Sequence, residues 1–509
     1  MPVEAGWTKR RPVVLWVVGT HSVKRALVRH VEPLAEREAL EVTLDAYGWS
    51  SNPLEEDIKK RGRLMKDGYL LDICVRLTKA PAAANSIYEN ISRMQVFENL
   101  ETDSTASAIL SHVYGAAPLG CPNRDEPQPM TDVEPRVDVL VNDNIVTFSA
   151  EHWKAVALGS SGFPIAAIQA AFGTGKTLVG AVIAAQLVDR DEIVLVTAST
   201  NAAVAQFAQT ILSLSAYRHL RVLRYVSDAA VLENMAPTSG DMNKILISVH
   251  DTYTNRLSPE AMDLCNKFTI GRRILERYIE NPDLALYLTD EEKEEYAIAE
   301  RNVSRTLEKM IALMLTLRPP HILCITTASL MNTIGTPDGA FNAYRDKFTV
   351  LIGEEASQIP EPALTAISNR LPNLRQIYIG DIHQLEPHAK CPRDSHAAVY
   401  GARSVMSVLC SARAVPVASL VRTFRAHPAL NELPNRVAYD GTLVSGITAF
   451  ARPMLIRAME FPAPGIPFML IDVDGQSTRA ENTSHFNPVE VETCVELLKA
   501  RGIAPSTSA

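Results

Sequence analysis

Residues 173–177 read Gly-Thr-Gly-Lys-Thr, a combination of residue types that is suited to binding phosphate groups. Gly173 and Gly175 let the backbone curl, so that successive N–H groups, including that of Thr174, can face phosphate oxygens. Lys176 would reach the β- and γ-phosphates, and the Thr177 hydroxyl would hold Mg²⁺. We therefore predict a nucleoside triphosphate site here, the alternative being a glycine-rich turn without a ligand.

A pair of acidic residues, Glu354 and Glu355, follows the apolar run 349–352. Beside bound phosphates, the first carboxylate would lie near Mg²⁺ and the second would orient and polarise an attacking water. Two acidic residues could instead favour the first turn of a helix, where carboxylates meet the positive end of the helix dipole. Because a phosphate loop precedes the pair in the chain, we favour the catalytic interpretation.

These residues need a scaffold that brings distant segments together, and the spacing of the apolar runs predicts one. Short runs, several of them rich in Val and Ile, recur between turn residues and helical patterns at 165–168, 193–197, 245–249, 322–326, 349–352, 376–379 and 468–472. Such runs are typical of parallel strands buried on both faces of an α/β sheet. A helix over 178–188 would then place its N-terminal end behind the phosphates.

Three further segments complete the predicted organisation. The long, charged, helical stretch 252–318 predicts an insertion between two strands of the sheet, and its acidic run 290–295 is explained as a solvated helix face. The polar, proline-rich segment 121–129 predicts a linker. Near the N-terminus, the apolar run 13–18 follows three basic residues as in a signal peptide, but no small-residue cleavage site follows it. We predict a buried strand there.

Composition limits the class of protein. The chain has 509 residues, and 50 Lys and Arg against 58 Asp and Glu give a net charge of −8. This excludes a uniformly basic nucleic-acid wrapper but allows a local basic groove. The seven cysteines form no C-x-x-C pair, which argues against a zinc ribbon and favours a reducing compartment. With no apolar run near the roughly 20 residues that span a bilayer, we expect an intracellular protein, cytoplasmic or nuclear.

Several motifs occur in the order that is found in superfamily 1 helicases. Glu-Glu-Ala-Ser-Gln at 354–358 and Gly-Asp-Ile-His-Gln-Leu-Glu-Pro at 380–387 resemble two motifs of that superfamily. Further segments fit the same order, namely 148–156 before the phosphate loop, Ser-Thr-Asn-Ala-Ala-Val at 199–204, Thr-Phe-Arg-Ala-His-Pro at 423–428, 433–443 and Asn-Pro-Val-Glu at 487–490. The chain resembles the up-frameshift and senataxin group of these helicases over about residues 138–504.

This resemblance implies roles for particular residues. Gln384 would sense the γ-phosphate, and Arg425 would reach the same phosphate from a second motor lobe. Thr200 and Asn201 would donate hydrogen bonds to strand phosphates, which position a strand without reading its sequence. His152 stands where the group has the glutamine that recognises adenine. The implied ligands are ATP, Mg²⁺ and single-stranded RNA or DNA.

The resemblance also implies the fold class. We expect an α/β protein, with a RecA-like P-loop NTPase lobe that has a parallel sheet and a helical insertion, a partial second RecA-like lobe and an N-terminal accessory region. The accessory region and linker would occupy 1–137 and the first motor lobe 138–400, with its insertion at about 252–318. The incomplete second lobe would occupy 401–509.

The chain departs from the group's pattern at several positions. Ala170 replaces the first glycine of the loop, His152 replaces the adenine-reading glutamine, and Glu354 replaces the aspartate on the metal side. Mg²⁺ tolerates a displaced carboxylate poorly because it demands near-octahedral geometry. Two later motifs of the group have no counterpart before residue 509, as in a C-terminally truncated member. We therefore expect binding of ATP and Mg²⁺ with impaired hydrolysis.

Three functional hypotheses stay open at this point. The chain could be an active helicase whose remaining motifs lie outside the given sequence. It could be a catalytically degenerate helicase-fold protein that acts as a binding or scaffold protein. It could also be an unrelated P-loop NTPase, such as a small-molecule kinase, which the motif at 380–387 and Arg425 disfavour.

Overall fold

A computed structural model describes most of the chain and divides it into two compact units, Met1–Met94 and Gln95–Ala509. The described residues are 12–17, 24–34, 39–46, 63–65, 68–70, 73–77, 103–115, 138–226, 237–280, 289–334, 339–389, 391–479 and 485–500. The linker predicted at 121–129 lies outside them. No helix in these ranges is both long and apolar enough to cross a membrane.

The first unit contains antiparallel β-structure. Its described strands are β1 (Pro12–Val17), β2 (Lys24–Leu34), β3 (Ala39–Ala46), β4 (Arg63–Met65), β5 (Gly68–Leu70) and β6 (Ile73–Leu77). Four of them form one sheet in the order β3-β2-β1-β6, and β4 pairs with β5. Val13 is fully buried in a small core with Ala26 and Val28. The strand predicted at the N-terminus is thereby confirmed.

A seven-stranded parallel sheet forms the centre of the second unit. After a short hairpin of β7 (Val139–Val141) and β8 (Asn144–Val146), the sheet strands are β9 (Ile165–Ala170), β10 (Val194–Ala198), β11 (Val222–Arg224), β12 (Ile322–Thr326), β13 (Val350–Gly353), β14 (Arg375–Gly380) and β15 (Val417–Leu420). Their order is β11-β12-β10-β13-β14-β9-β15, and every pairing is parallel. The predicted α/β fold class is confirmed.

Alternating side chains of the strands face two separate cores. Leu195 and Leu351 pack in one hydrophobic cluster, whereas their neighbours Val194, Val196 and Ile352 pack in the other. A strand buried on both faces must be apolar at successive positions, and this explains the continuous apolar runs in the sequence. The runs predicted at 165–168, 193–197, 322–326, 349–352 and 376–379 all fall in this sheet.

Helices cover the sheet and extend from it. They are α1 (Thr105–Tyr114), α2 (Ala150–Gly159), α3 (Lys176–Val188), α4 (Asn201–Leu212), α5 (Met242–Tyr253), α6 (Pro259–Glu280), α7 (Asp290–Leu317), α8 (Thr327–Thr333), α9 (Glu361–Arg370), α10 (His396–Gly401), α11 (Val405–Ser411), α12 (Pro428–Val437), α13 (Met454–Ala458) and α14 (Pro488–Ala500). Two small pairs follow the sheet, β16 (Arg422–Thr423) with β17 (Val444–Ser445) and β18 (Thr478–Arg479) with β19 (His485–Phe486).

Two predicted strands are wrong. The run 245–249 lies inside α5, where Met242, Ile245, Leu246 and Val249 are buried. These positions follow the i, i+3, i+4, i+7 spacing of one helix face, which a five-residue window cannot distinguish from a buried strand. The run 468–472 has no strand partner, and Leu470 is 86% exposed.

A buried ion pair connects the sheet edge to the helical insertion. Arg224 ends β11, and its guanidinium donates to both carboxylate oxygens of Asp241, at 2.6 and 2.8 Å. Thr238 donates to the same carboxylate through its N–H and its hydroxyl. Asp241 directly precedes α5, the helix that leads into α6 and α7. The pair therefore fixes where the insertion leaves the sheet.

The sequence-based domain boundaries stay predictions, but two observations bear on them. Helix α1 lies in the range assigned to the accessory region, yet Ile109 and Val113 are part of the large core that packs on the sheet. Strand β15 lies beyond the boundary placed at residue 400 and pairs with β9 inside the same sheet.

Candidate nucleotide site

The predicted site residues meet at the carboxyl edge of three adjacent strands. Strand β9 leads into the phosphate loop, β13 into Glu354 and Glu355, and β14 into Asp381, and these strands are neighbours in the order β13-β14-β9. Ligands of open α/β sheets bind in the crevice outside the carboxyl ends of the strands. The sheet therefore brings the phosphate loop and the acidic pair into direct contact, although Thr177 and Glu354 are 177 positions apart in the sequence.

The phosphate loop has the backbone that its glycines allow. Gly173 and Gly175 have φ values of 68° and 82°, in the left-handed region. Among the described residues, the N–H groups of Gly173, Thr174 and Gly175 donate no hydrogen bond, while the Thr174 hydroxyl donates to the carbonyl of Ala171 at 2.8 Å. Helix α3 begins at Lys176. Unpaired N–H groups at a helix N-terminus form a binding site for an anion.

Replacing each glycine by alanine should separate backbone strain from collision. Both substitutions place an L side chain at positive φ, which costs about 1–2 kcal/mol. At Gly173 the added Cβ would also lie 2.5 Å from the Arg425 Cβ and 2.6 Å from the Thr423 hydroxyl, whereas at Gly175 the nearest atom is 3.7 Å away. We expect Gly173→Ala to lower the unfolding free energy more than Gly175→Ala in chemical denaturation. Equal losses would contradict the packing of residues 423–425 on the loop.

Lys176 forms an ion pair with Glu355. The ammonium lies 2.8 Å from the Glu355 carboxylate, and both side chains are largely buried. Glu355 itself has a φ of 49°, in the left-handed region that disfavours a residue with a side chain. The residue expected to bind phosphate and the residue expected to polarise water are therefore in direct contact, with opposite charges.

Glu354 is completely enclosed and retains an unused oxygen. The Thr177 hydroxyl donates to its Oε1 at 2.7 Å, while Oε2 is buried without a hydrogen-bond partner. Burial is the main cause that raises the pKa of Glu354 to about 7. A buried carboxylate oxygen beside a threonine hydroxyl fits Mg²⁺, which uses one or two protein ligands together with phosphates.

The raised pKa of Glu354 predicts a dependence of stability on pH. A carboxyl titrates near 4.5 in the unfolded chain and near 7 in the folded protein, so the folded state binds more protons between these values. The unfolding free energy of the protein, measured without Mg²⁺, should therefore fall as the pH rises from 5 to 8. Glu354 should contribute up to about 3 kcal/mol of this loss. Glu354→Gln should flatten the profile of urea unfolding, and Glu192→Gln should not. An unchanged slope in Glu354→Gln would contradict the assignment.

His152 supports the loop from helix α2. Its Nε2 lies 2.8 Å from the Thr174 carbonyl, to which it donates, and its Nδ1 accepts the Ser149 N–H at 2.9 Å. Both nitrogens of the buried ring are thus engaged with the protein backbone. The contact of His152 with adenine stays a prediction, and the structure adds a role that the sequence did not suggest.

The structure adds Asp381 and Tyr439 to the site. Asp381 is fully buried, and it accepts hydrogen bonds from the Gln384 side chain at 2.8 Å and from the Tyr439 hydroxyl at 2.7 Å. Tyr439 also packs edge-on against Phe172 of the phosphate loop. Both residues stand in motifs that the sequence singles out, but spacing alone assigns them no partner.

The remaining predicted residues lie around this centre. The backbone N–H of Phe424 donates to the Gly173 carbonyl at 2.9 Å, which places the exposed side chain of Arg425 beside the loop. On the other side, Thr200 follows β10 and caps α4, since its hydroxyl accepts the Ala203 N–H at 3.2 Å. Its hydroxyl proton is still available for a second bond. Asn201 begins the helix beside it.

Comparison with known proteins agrees with this arrangement. Two AAA domain families match the chain, one over residues 147–391 and the other over residues 402–501. An uncharacterised ATP-dependent helicase of Caenorhabditis elegans is 33% identical over 33% of this chain and 11% of its own length. The ATP-dependent helicase upf1 of Schizosaccharomyces pombe is 29% identical over 66% of this chain and 32% of its own length. The chain spans about a third or less of these relatives.

A solved structure gives a weaker likeness. The structural match with a Pif1 helicase from Candida albicans covers 62% of this chain and 49% of the helicase chain, at 16% sequence identity and a TM-score of 0.27. That score is too low to support a conclusion about this chain. The two matched families, the helicase relatives and the ordered motifs support one assignment together: the chain belongs to the up-frameshift-like group of superfamily 1 helicases.

Proposed function

We propose that this chain binds ATP with Mg²⁺ and hydrolyses it slowly, in a reaction stimulated by single-stranded RNA or DNA. The observation that carries the proposal is the meeting of the phosphate loop with Glu354 and Glu355 at one edge of the sheet. That edge presents unpaired N–H groups, a lysine and two carboxylates in contact with one another. Binding of a nucleoside triphosphate needs these groups together, whereas a glycine-rich turn without a ligand does not.

Nucleotide binding would exchange the ionic partner of Lys176. Its ammonium would leave Glu355, 2.8 Å away, and bind the terminal phosphates. The exchange would release the Glu355 carboxylate at the position where it can orient a water molecule and accept its proton. Arg425 starts beside the loop and is exposed, so its guanidinium can add positive charge at the same phosphate.

Slow hydrolysis is supported by the state of Glu354. Burial raises the pKa of this carboxyl to about 7, so it keeps its proton at higher pH than an ordinary carboxyl does. It must lose that proton before it can serve as a metal ligand. Mg²⁺, when bound, would neutralise charge on the phosphates. Thr177 and Glu354 would hold it, and protonation of Glu354 would weaken that hold.

Binding of a nucleic-acid strand is proposed for the neighbouring part of the same carboxyl edge of the sheet. Thr200 and Asn201 lie at the end of β10, next to β13 in the sheet, and offer polar groups at a helix N-terminus. Contacts of this kind fix a phosphate backbone without reading bases, and their affinity falls with salt. Turnover with each kind of strand distinguishes RNA from DNA as the ligand. A location in the cytoplasm or nucleus is part of the same proposal.

The test measures ATP turnover under three conditions: without nucleic acid, with oligouridine RNA and with oligothymidine DNA. We expect turnover to rise with at least one strand, and Lys176→Ala to lower it by about 10²- to 10³-fold. Lys267→Ala is the matched control, since Lys267 pairs with the exposed Asp263 in the helical insertion. This control should match the unmodified chain.

Calorimetry with ATP and Mg²⁺ separates the outcomes. Absence of nucleotide binding would overturn the assignment of the site. Binding of nucleotide and strand without turnover would reject hydrolysis and favour the degenerate binding or scaffold protein. Turnover that is unaffected by either strand would reject the proposed coupling.

A further inference from the structure

Asp381 connects three segments that are far apart in the sequence. One carboxylate oxygen accepts hydrogen bonds from the Gln169 side chain at 2.9 Å and from the His383 N–H at 3.1 Å. The other accepts from the Gln384 side chain at 2.8 Å and from the Tyr439 hydroxyl at 2.7 Å. The carboxylate is fully buried and therefore depends on these four donors.

Tyr439 enters this network from a separate part of the chain. It follows α12, and only 7% of its surface is exposed. Its ring lies 4.7 Å from that of His383 and 5.8 Å from that of Phe172 in the phosphate loop. Burial, with the neighbouring Asp381 carboxylate, raises the pKa of Tyr439 well above its usual range, so the hydroxyl keeps its proton. A carboxylate can only accept, and the phenol is therefore the donor.

We propose that Tyr439 is a positioning residue that holds Gln384 through the shared oxygen of Asp381 and thereby couples the segment after α12 to the phosphate site. This inference rests on the proposed function, because it takes Gln384 as the residue that senses the γ-phosphate. Gln384 and Tyr439 donate to the same atom, so a displacement of either donor changes the bond of the other. Phe172 gives Tyr439 a second, direct contact with the loop.

The geometry specifies what the phenol contributes. Its ring fills a small apolar cluster with Ala171 and Leu443, a role that phenylalanine can also fill. Its hydroxyl supplies one of the four donors to a buried carboxylate, a role that phenylalanine cannot fill. Without the Tyr439 hydroxyl, the Gln384 amide is the one described side chain that donates to this oxygen of Asp381. The Gln384 side chain and the carboxylate can then shift together. Tyr439→Phe therefore isolates the coupling from the packing.

The first test is the turnover of Tyr439→Phe with and without single strand. We expect strand-stimulated kcat to fall about tenfold, the scale of one hydrogen bond to a charged group, and to fall by a larger factor than the affinity for ATP. Tyr114→Phe is the matched control, since its hydroxyl donates to the Glu361 carboxylate at 2.9 Å, away from the site. An unchanged strand-stimulated kcat in Tyr439→Phe would overturn the proposal.

A double-variant cycle asks whether Tyr439 acts through Gln384. If it does, Tyr439→Phe should cost nothing further in a Gln384→Ala background, because the positioned side chain is gone. Independent losses that multiply in the double variant would overturn the coupling, even if each single variant is impaired.

Amide hydrogen exchange without nucleotide gives a readout that does not need catalysis. Tyr439→Phe should exchange faster than Tyr114→Phe in residues 381–386 and 438–444. If the unmodified chain shows no turnover, the proposed function fails, while faster exchange in these two segments still supports the link between Tyr439 and Asp381. Unchanged exchange in both segments would overturn that link whatever the turnover.

Discussion

Glu355→Gln is expected to lower ATP turnover by about 10²- to 10⁴-fold, the usual contribution of a general base. Its amide can still occupy the space of the carboxylate but cannot accept a proton from water. Because Lys176 would lose its ionic partner, the substitution removes a competitor of the phosphates. ATP should therefore bind at least as tightly as in the unmodified chain. Single-turnover kinetics and calorimetry measure the two effects separately.

The matched control for this prediction is Glu386→Gln. Glu386 is also paired with a basic residue, Arg393, but the two side chains are exposed. It should leave turnover and ATP binding unchanged. Loss of ATP binding in Glu355→Gln would indicate that Glu355 organises the loop, and unchanged turnover would exclude it as the base.

Asp241→Asn is expected to destabilise the second unit by about 3–5 kcal/mol, because it leaves the buried Arg224 guanidinium without its counter-charge. The side chain of Arg224 is 3% exposed, so water cannot replace the carboxylate. Urea unfolding followed by circular dichroism measures the loss. The double variant with Arg224→Met should recover part of it, since the unpaired cation is then removed.

An exposed pair provides the control. Arg218 binds Asp143 with two hydrogen bonds of 2.7 Å, but their side chains are 66% and 71% exposed. Asp143→Asn should leave the unfolding midpoint unchanged, because water solvates the remaining guanidinium of Arg218. If both variants unfold alike, burial does not determine the contribution of the Arg224–Asp241 pair.

The parts of the site that the sequence predicts are those with a local cause. The glycines of the phosphate loop require positive φ, and the apolar run before Glu354 requires a buried strand, so both appear in the spacing of residue types. The run 245–249 predicts a strand from its sequence because five apolar-rich residues fit either the strand or the helix period. Only the burial of Met242 one helical turn earlier reveals the helix.

Contacts across the fold leave no such local signal. The engagement of both His152 nitrogens depends on the Thr174 carbonyl, which the phosphate loop presents only after it has folded. The bond between Tyr439 and Asp381 joins residues 58 positions apart. Residue types at these positions are compatible with many partners, and only the packed sheet selects one.

The order of the sheet also has a consequence for synthesis on the ribosome. Strand β9, which carries the phosphate loop, pairs only with β14 and β15, and both are translated long after it. At about 5–20 residues per second, the interval between β9 and the last of its partners is on the order of tens of seconds. Until β14 has been made, an apolar strand that is buried on both faces in the finished protein has neither of these neighbours. A nascent chain stalled before residue 375 should therefore be a substrate for chaperones that bind exposed apolar segments, and its nucleotide site cannot yet have formed.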